Sequence, residues 1–415
     1  MDDRLGKASA EKLRSDIEAL AAIVDETKPG WTRRPFTSWY AQGRDWLAAE
    51  MEACGLRTRI DAASNLIGYL PGGDPTLKPI MVGSHTDTVT GGGRFDGIIG
   101  VLAGLEIVRM LKRANLTLRH PLMVVDFTAE EPSEFGISTI GSRGMVDNLS
   151  ADMLERTDPS GLTLKDGIRS AGGDPDAISG TALQKGDIAL YLELHIEQGP
   201  VLEQTGNKLG VVTGIVGIHR YRVLVEGAPN HAGTTPMNMR RDALTGAARA
   251  VLELEAICRK AYDEPVVGTV GKLSVEPNAS NVVPGRVTFD LEVRSLDVGT
   301  MERIMDEMKT KAAAISADTG LRIVIEQLSK SEPIRVEDSV RKIVQAGCEA
   351  VGPTLSLPSG AGHDATQLAR IAPIGMIFVP SRDGRSHCPE EWTDYEDVAL
   401  GVEALARAIK IFDER

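Results

Sequence analysis

Short motifs rich in histidine and carboxylate follow one predicted strand after another along this chain, and that placement constrains the fold more than any other feature. Gly83-Ser84-His85-Thr86-Asp87 closes a strand predicted over 80–83, and Gly93-Arg94-Phe95-Asp96-Gly97 follows in a glycine-rich loop. Glu130-Glu131 closes a second strand, His195-Ile196-Glu197-Gln198-Gly199-Pro200 a third, and Ser386-His387 lies near the C-terminus. Imidazole and carboxylate on strand ends and glycine-rich loops are the makings of a divalent-metal site. Together the pieces point to a two-metal hydrolase.

The 415 residues exceed what one hydrophobic core normally serves, so two domains are expected. Helical spacing of apolar residues predicts helices over 9–24, with Ser9 as N-cap, over 40–54, stopped by Gly55, and over 98–113. Strands are predicted over 80–83, 122–129 and 188–195; the second is nearly all apolar, as a buried parallel strand should be. From Tyr221 the rhythm changes to strand 221–225, helix 242–261, strands 266–275 and 286–293, helix 301–319 and strand 321–328. That order, βαββαβ, is the ferredoxin-like arrangement. Helices over 339–351 and 364–371, a strand over 374–379 and a last helix from Asp394 return to the first pattern. The expectation is an α/β domain of residues 1–213 and 329–415 with residues 214–328 inserted into it.

A formal charge of −13 argues against nucleic acid or an anionic membrane as partner, since both call for clustered Lys and Arg. No run reaches the roughly 18 apolar residues of a membrane span. Met1-Asp2-Asp3-Arg4 lacks the layout of a secretion signal. Cys54, Cys258, Cys348 and Cys388 show no CxxC spacing, so a reducing cytoplasm is the expected home.

Several of the candidates acquire meaning only together. A lone His85 would read as a capping or core residue, but Asp87 at i+2 can accept its second ring N–H and fix its tautomer, a supporting role in catalysis. A lone Asp96 would read as a turn residue, which does not explain its company. Adjacent carboxylates at Glu130-Glu131 repel each other. One as metal ligand and the other as general base removes the conflict. His120, before a strand, reads as merely exposed, and His219 sits near the domain junction.

These motifs resemble one family, as do His231-Ala232-Gly233-Thr234-Thr235-Pro236-Met237, Asn281-Val282-Val283-Pro284, Ser359-Gly360-Ala361-Gly362-His363-Asp364-Ala365 and the segment from Phe378 to His387. It is the hydantoinase/carbamoylase family of amidases, a branch of the dinuclear aminopeptidase-like hydrolases. The resemblance runs from about Trp39 to the end, in the family's order. It implies a mixed-sheet, aminopeptidase-like catalytic domain whose ferredoxin-like insert serves as lid and dimerisation domain. It implies two divalent ions per subunit, Zn or Mn with Co or Ni admissible, one held by His85 and His195, the other by Glu131 and His387, with Asp96 bridging. Glu130 would be the general base. Gln198, His231, Asn281, Arg294 and Gly360 match positions that contact substrate, and His231 would reach across a homodimer to the partner's site.

The implied reaction is hydrolysis of the carbamoyl C–N bond of an N-carbamoyl-L-amino acid, a small ureido substrate. One departure stands out: the family follows its paired glutamates with Gly-x-Arg-Phe, whereas this chain reads Pro132-Ser133-Glu134-Phe135. A negative charge replacing a positive one beside the metals bears on the substrate and keeps allantoate or ureidoglycolate hydrolysis open as an alternative. A dipeptidase or a non-catalytic binding protein fits the motifs less well.

Overall fold

The structure, a computed structural model, describes residues 5–260 and 262–415. The expected helix end at Ala261 and the segment Met1-Asp2-Asp3-Arg4 lie outside the described residues. The chain separates into two compact units. One comprises residues up to Thr213 with Val336–Leu357 and Ala361–Arg415; the other comprises Gly214–Arg335 with Pro358–Gly360.

The first unit opens with strands β1 (Arg57–Ile60), β2 (Leu66–Leu70), β3 (Ile80–His85), β4 (Leu122–Phe127), β5 (Leu190–Ile196) and β6 (Leu209–Ile215). The second contributes β7 (Gly217–Glu226), β8 (Asn230–His231), β9 (Val266–Glu276), β10 (Val282–Val283), β11 (Arg286–Ser295), β12 (Arg322–Ser331) and β13 (Ile334–Arg335). The chain then adds β14 (Thr354–Ser359) and β15 (Ile374–Val379).

The first unit's sheet runs β1-β2-β4-β3-β5-β15-β6, with β14 also on β6. Its centre, β4-β3-β5-β15, is parallel, and every residue of those strands is buried. Such strands must be apolar on both faces, which is why they read as continuous hydrophobic runs. The flanking strands β1, β2 and β6 are antiparallel. Helix Ile98–Arg113 links β3 to β4 and is buried along most of its length. Ser9 caps helix Ala10–Ala21 by accepting the Lys12 N–H at 3.1 Å.

The second unit holds an antiparallel sheet in the order β12-β7-β11-β9, backed by helices Ala243–Cys258 and Val298–Thr319. Val223, Val225, Phe289, Leu291, Ala247 and Met305 form its core. Alternation along β11 sends every second residue to that core and leaves Asp290, Glu292 and Arg294 on the other face. The domain boundary expected at 328/329 moves to Arg335. The polar Ser329–Ser331 carries no hydrophobic signal, yet it extends β12 by pairing with β7, and β13 then pairs with Ile215 and Gly214. Backbone pairing continues there without an apolar pattern to announce it. No helix among the described residues is long and apolar enough to cross a membrane.

Candidate metal centre

The neighbours β3 and β5 mark the point where strand order reverses, with β4 on one side and β15 on the other. In open α/β sheets the crevice beyond the carboxyl ends of strands at such a point is the usual ligand site. His85 is the last residue of β3, and His195 is the penultimate residue of β5. Glu130-Glu131 follows β4, and the segment after β15 brings in His387.

Asp96 lies at the middle of this group. Its Oδ1 is 3.2 Å from His195 Nε2 and 3.7 Å from His85 Nε2, while its Oδ2 is 3.3 Å from His387 Nε2. Glu131 Oε1 is 3.2 Å from His387 Nε2, and Glu130 Oε2 is 3.7 Å from His85 Nε2. Apart from His387, all of these side chains are buried.

The donor set fits divalent cations. His85 Nδ1 lies 3.0 Å from the carbonyl of Asp87, and His195 Nδ1 lies 2.9 Å from that of Ile196. A carbonyl only accepts, so each Nδ1 carries a proton and each Nε2 is the nitrogen left to face the carboxylates. Carboxylate oxygens gathered around these two nitrogens favour positive charge there, as a bound cation or as protonated rings. Hydrogen bonds to Asp96 and Glu131 push the His387 imidazole up to about 11, so positive charge is also demanded there. Burial holds the Glu130 carboxyl well above the usual range, with Asp364, Glu131 and Asp87 adding to the effect against His85. His85, Asp96 and His195 thus form one group able to hold an ion, and Asp96, Glu131 and His387 another. Glu193, His195 and His363 also lie close together, but His195 has one ring nitrogen to give and it faces Asp96.

Asp87 acts differently from the expectation. The ring N–H of His85 goes to its backbone carbonyl, with the carboxylate farther off at 3.6 Å. That carboxylate accepts the backbone N–H groups of Glu130 and Glu131 at 3.1 and 3.2 Å. Two amides freed after β4 need an acceptor, and Asp87 thereby fixes the backbone of both glutamates. Gly97, at φ +70°, leaves no room for a side chain: a Cβ there would lie 2.3 Å from His85 Nε2. Ala129, Gln198 and His387 share the left-handed backbone region, which costs non-glycine residues energy and often marks functional sites.

Gln198 donates from Nε2 to Asp96 Oδ2 at 2.7 Å, and its buried Oε1 has no hydrogen-bond partner among the described residues. The other expected substrate contacts belong to the second unit. His231 pairs with Val282 in the short β8–β10 ladder and Asn281 immediately precedes β10, with Ala232 N donating to the Asn281 carbonyl at 2.9 Å. His231 Nδ1 accepts the Gly233 N–H, which leaves the proton on Nε2. Arg294 donates to Glu292 at 2.8 Å and to the Gly360 carbonyl at 2.7 Å.

Glu134 is 57% exposed and pairs with Arg34 at 3.3 Å, so the negative charge has a counter-ion of its own. Arg34 also donates to the carbonyls of Thr88 and Pro132. Sequence reasoning missed Arg34, and it missed Glu391 behind Asp96. Arg34 is remote in sequence from every motif, and Glu391, only four residues past His387, looks no different in sequence from its neighbour Glu390.

Residues 81–411 match the model of peptidase family M20/M25/M40. The chain is 40% identical to an N-carbamoyl-L-amino acid amidohydrolase of Geobacillus stearothermophilus, over 96% of this chain and 97% of the relative. It is 36% identical to the allantoate amidohydrolase of Bacillus subtilis, over 94% of each. Among solved structures, a hydantoinase/carbamoylase family amidase of Burkholderia multivorans superposes with a TM-score of 0.92 at 33% identity, covering 99% of both chains. The chain therefore belongs to peptidase family M20/M25/M40 and, within it, to the hydantoinase/carbamoylase amidases, hydrolases of carbon–nitrogen bonds other than peptide bonds.

Proposed function

We propose that this chain hydrolyses the carbamoyl C–N bond of an N-carbamoyl-L-amino acid or a similar ureido acid, using two divalent ions per subunit. The observation that carries the reading is Asp96, whose two oxygens address separate nitrogen and carboxylate groups. When bound, a pair of such ions, Zn or Mn with Co or Ni also suited to N and O donors, polarises the ureido carbonyl and acidifies water. Glu130 takes the proton of the attacking water and returns it to the nitrogen that leaves. His231, with its proton on Nε2, donates to the oxygen that gains charge. The products are the free amine and carbamic acid, which decomposes to carbon dioxide and ammonia. Four cysteines free of disulfides fit a reducing cytoplasm.

Ammonia release decides the substrate. A panel of N-carbamoyl amino acids, allantoate and ureidoglycolate, with a dipeptide followed by free amino acid instead of ammonia, each with and without chelator, should show chelator-sensitive turnover that is highest on an N-carbamoyl amino acid. Highest turnover on allantoate would reassign the substrate. No turnover on any ureido compound would overturn the reading.

Arg294 is proposed to hold the substrate carboxylate, a bidentate task that Lys cannot copy. Arg294→Lys should lower kcat/KM by at least about tenfold, or about 1.4 kcal/mol, on the acid and hardly at all on its amide analogue. Equal losses on both would assign Arg294 to holding Glu292 and Gly360 instead.

The active form is proposed to be a homodimer in which His231 serves the neighbouring site. Leu252, Val267 and Leu273 of the second unit are exposed, and β9 is an edge strand, features that suit a second copy. His231→Ala and Glu130→Gln proteins, each nearly inactive, should regain partial activity when co-expressed, because a mixed dimer contains one intact site. Mixed dimers without recovery would place His231 in its own subunit's site.

A further inference from the structure

We propose that Glu391 is a positioning residue of the metal centre, setting the bridging Asp96 and locking it to the segment that carries His387; this rests on the two-ion reading above. Glu391 is 2% exposed. Its Oε1 accepts the backbone N–H of Phe95 at 2.9 Å and that of Asp96 at 3.1 Å. Its Oε2 is 3.0 Å from Ser386 Oγ, and the same Oγ is 2.6 Å from Asp96 Oδ2. One buried carboxylate therefore reaches the backbone of Asp96 directly and its side chain through a single hydroxyl. Ser386 immediately precedes His387, and its one hydroxyl proton lies between the carboxylates of Asp96 and Glu391, so the two proposed ligands are joined through this group.

The surroundings are built for this contact. A Cβ at Gly93 would lie 2.1 Å from Glu391 Oε1, so the first glycine of Gly93-Arg94-Phe95-Asp96-Gly97 is required for close approach. Outside the loop, the Arg94 guanidinium lies between Trp31 and Trp392, 4.7 and 4.9 Å from their ring centroids, and pairs with Glu18 at 3.1 Å. Trp392 is the residue after Glu391, so the Asp96 loop and the 386–392 segment are joined on their outer side as well. A turn at Gly93–Gly97 needed only to reverse the chain could have left the Phe95 and Asp96 amides to water. Both amides meet a carboxylate almost three hundred residues away in sequence instead. Groups that orient a metal ligand in this way are typically worth about 10- to 100-fold in metal affinity or activity.

The test uses the full-length protein stripped of metal and titrated with Co2+, reading the visible ligand-field spectrum and the affinity against a competing chelator, beside kcat, KM and thermal midpoint. Glu391→Ala should weaken Co2+ binding by at least about tenfold and lower kcat with little change in KM. Glu391→Gln should restore both, because its Oε1 accepts the two amides and its Nε2 donates to Ser386 Oγ. Ser386→Ala, which removes only the arm to the Asp96 side chain, should weaken Co2+ binding less than Glu391→Ala does. Wild-type Co2+ affinity and spectrum in Glu391→Ala would overturn the proposal. A folded Gln variant as impaired as a folded Ala variant would overturn it too, and if Glu391→Ala does not fold, wild-type binding by Ser386→Ala would overturn it. Wild-type protein that binds no Co2+ would instead sink the two-ion reading itself.

Discussion

Glu130→Gln is expected to keep its metal and its fold while turnover falls about 100- to 10,000-fold, the range that a positioned general base supplies. Glu131→Gln is expected to lose one ion. The difference follows from what each carboxylate meets. Glu131 Oε1 faces His387 Nε2 at 3.2 Å, with Asp96 Oδ2 on the same nitrogen at 3.3 Å, so it belongs to a group that could hold an ion. Glu130 Oε2 lies at the longer distance of 3.7 Å from His85 Nε2. Both backbone amides are held by Asp87, so an amide side chain at either position should not move the loop. Elemental analysis of the purified variants decides the matter. Equal metal loss in both would show that the roles within the pair are wrongly divided.

The parts of the centre that were legible in the sequence are those at which chemistry and secondary structure coincide. His85 and Glu130-Glu131 stand out because continuous apolar strands stop there, and a polar group at the end of a buried parallel strand has few reasons to exist. The strand over 80–83 runs on to His85, since the Ser84 hydroxyl finds a buried carboxylate, Glu193, at 2.8 Å and need not turn toward water. The less legible parts depend on contacts between distant segments. Arg33 is nearly fully buried and donates to the carbonyls of Leu20, Ile23 and Thr86, and nothing in Thr32-Arg33-Arg34 announces that. β1 escaped notice because three of its four residues are exposed, which removes the alternation that periodicity detects. Glu134 drew attention as a departure from the family pattern, and its pairing with Arg34, about a hundred residues earlier, could not be read from the sequence.

Asp96→Asn should be as damaging as loss of the base, and its effect should be one-sided. The carboxylate presents Oδ1 to His85 and His195, and Oδ2 to His387. An amide has one oxygen, so its NH2 must take one of the two positions. Gln198 Nε2 and the Ser386 hydroxyl both donate to Oδ2, at 2.7 and 2.6 Å, and therefore select the oxygen for that side. The NH2 is left facing the lone pairs of His85 and His195, where a cation would lose an anionic ligand and meet a positively polarised group instead. Asp96→Asn should thus lose the ion at the two buried histidines and retain, more weakly, the one at Glu131 and His387. Activity should drop by about 1,000-fold or more, equivalent to about 4 kcal/mol of transition-state stabilisation. Combining it with Glu131→Gln should leave almost no metal. Metal content measured across the single and double variants tests this directly. Full occupancy of both positions in Asp96→Asn would mean that Asp96 bridges nothing and that each ion is held by its own side chains.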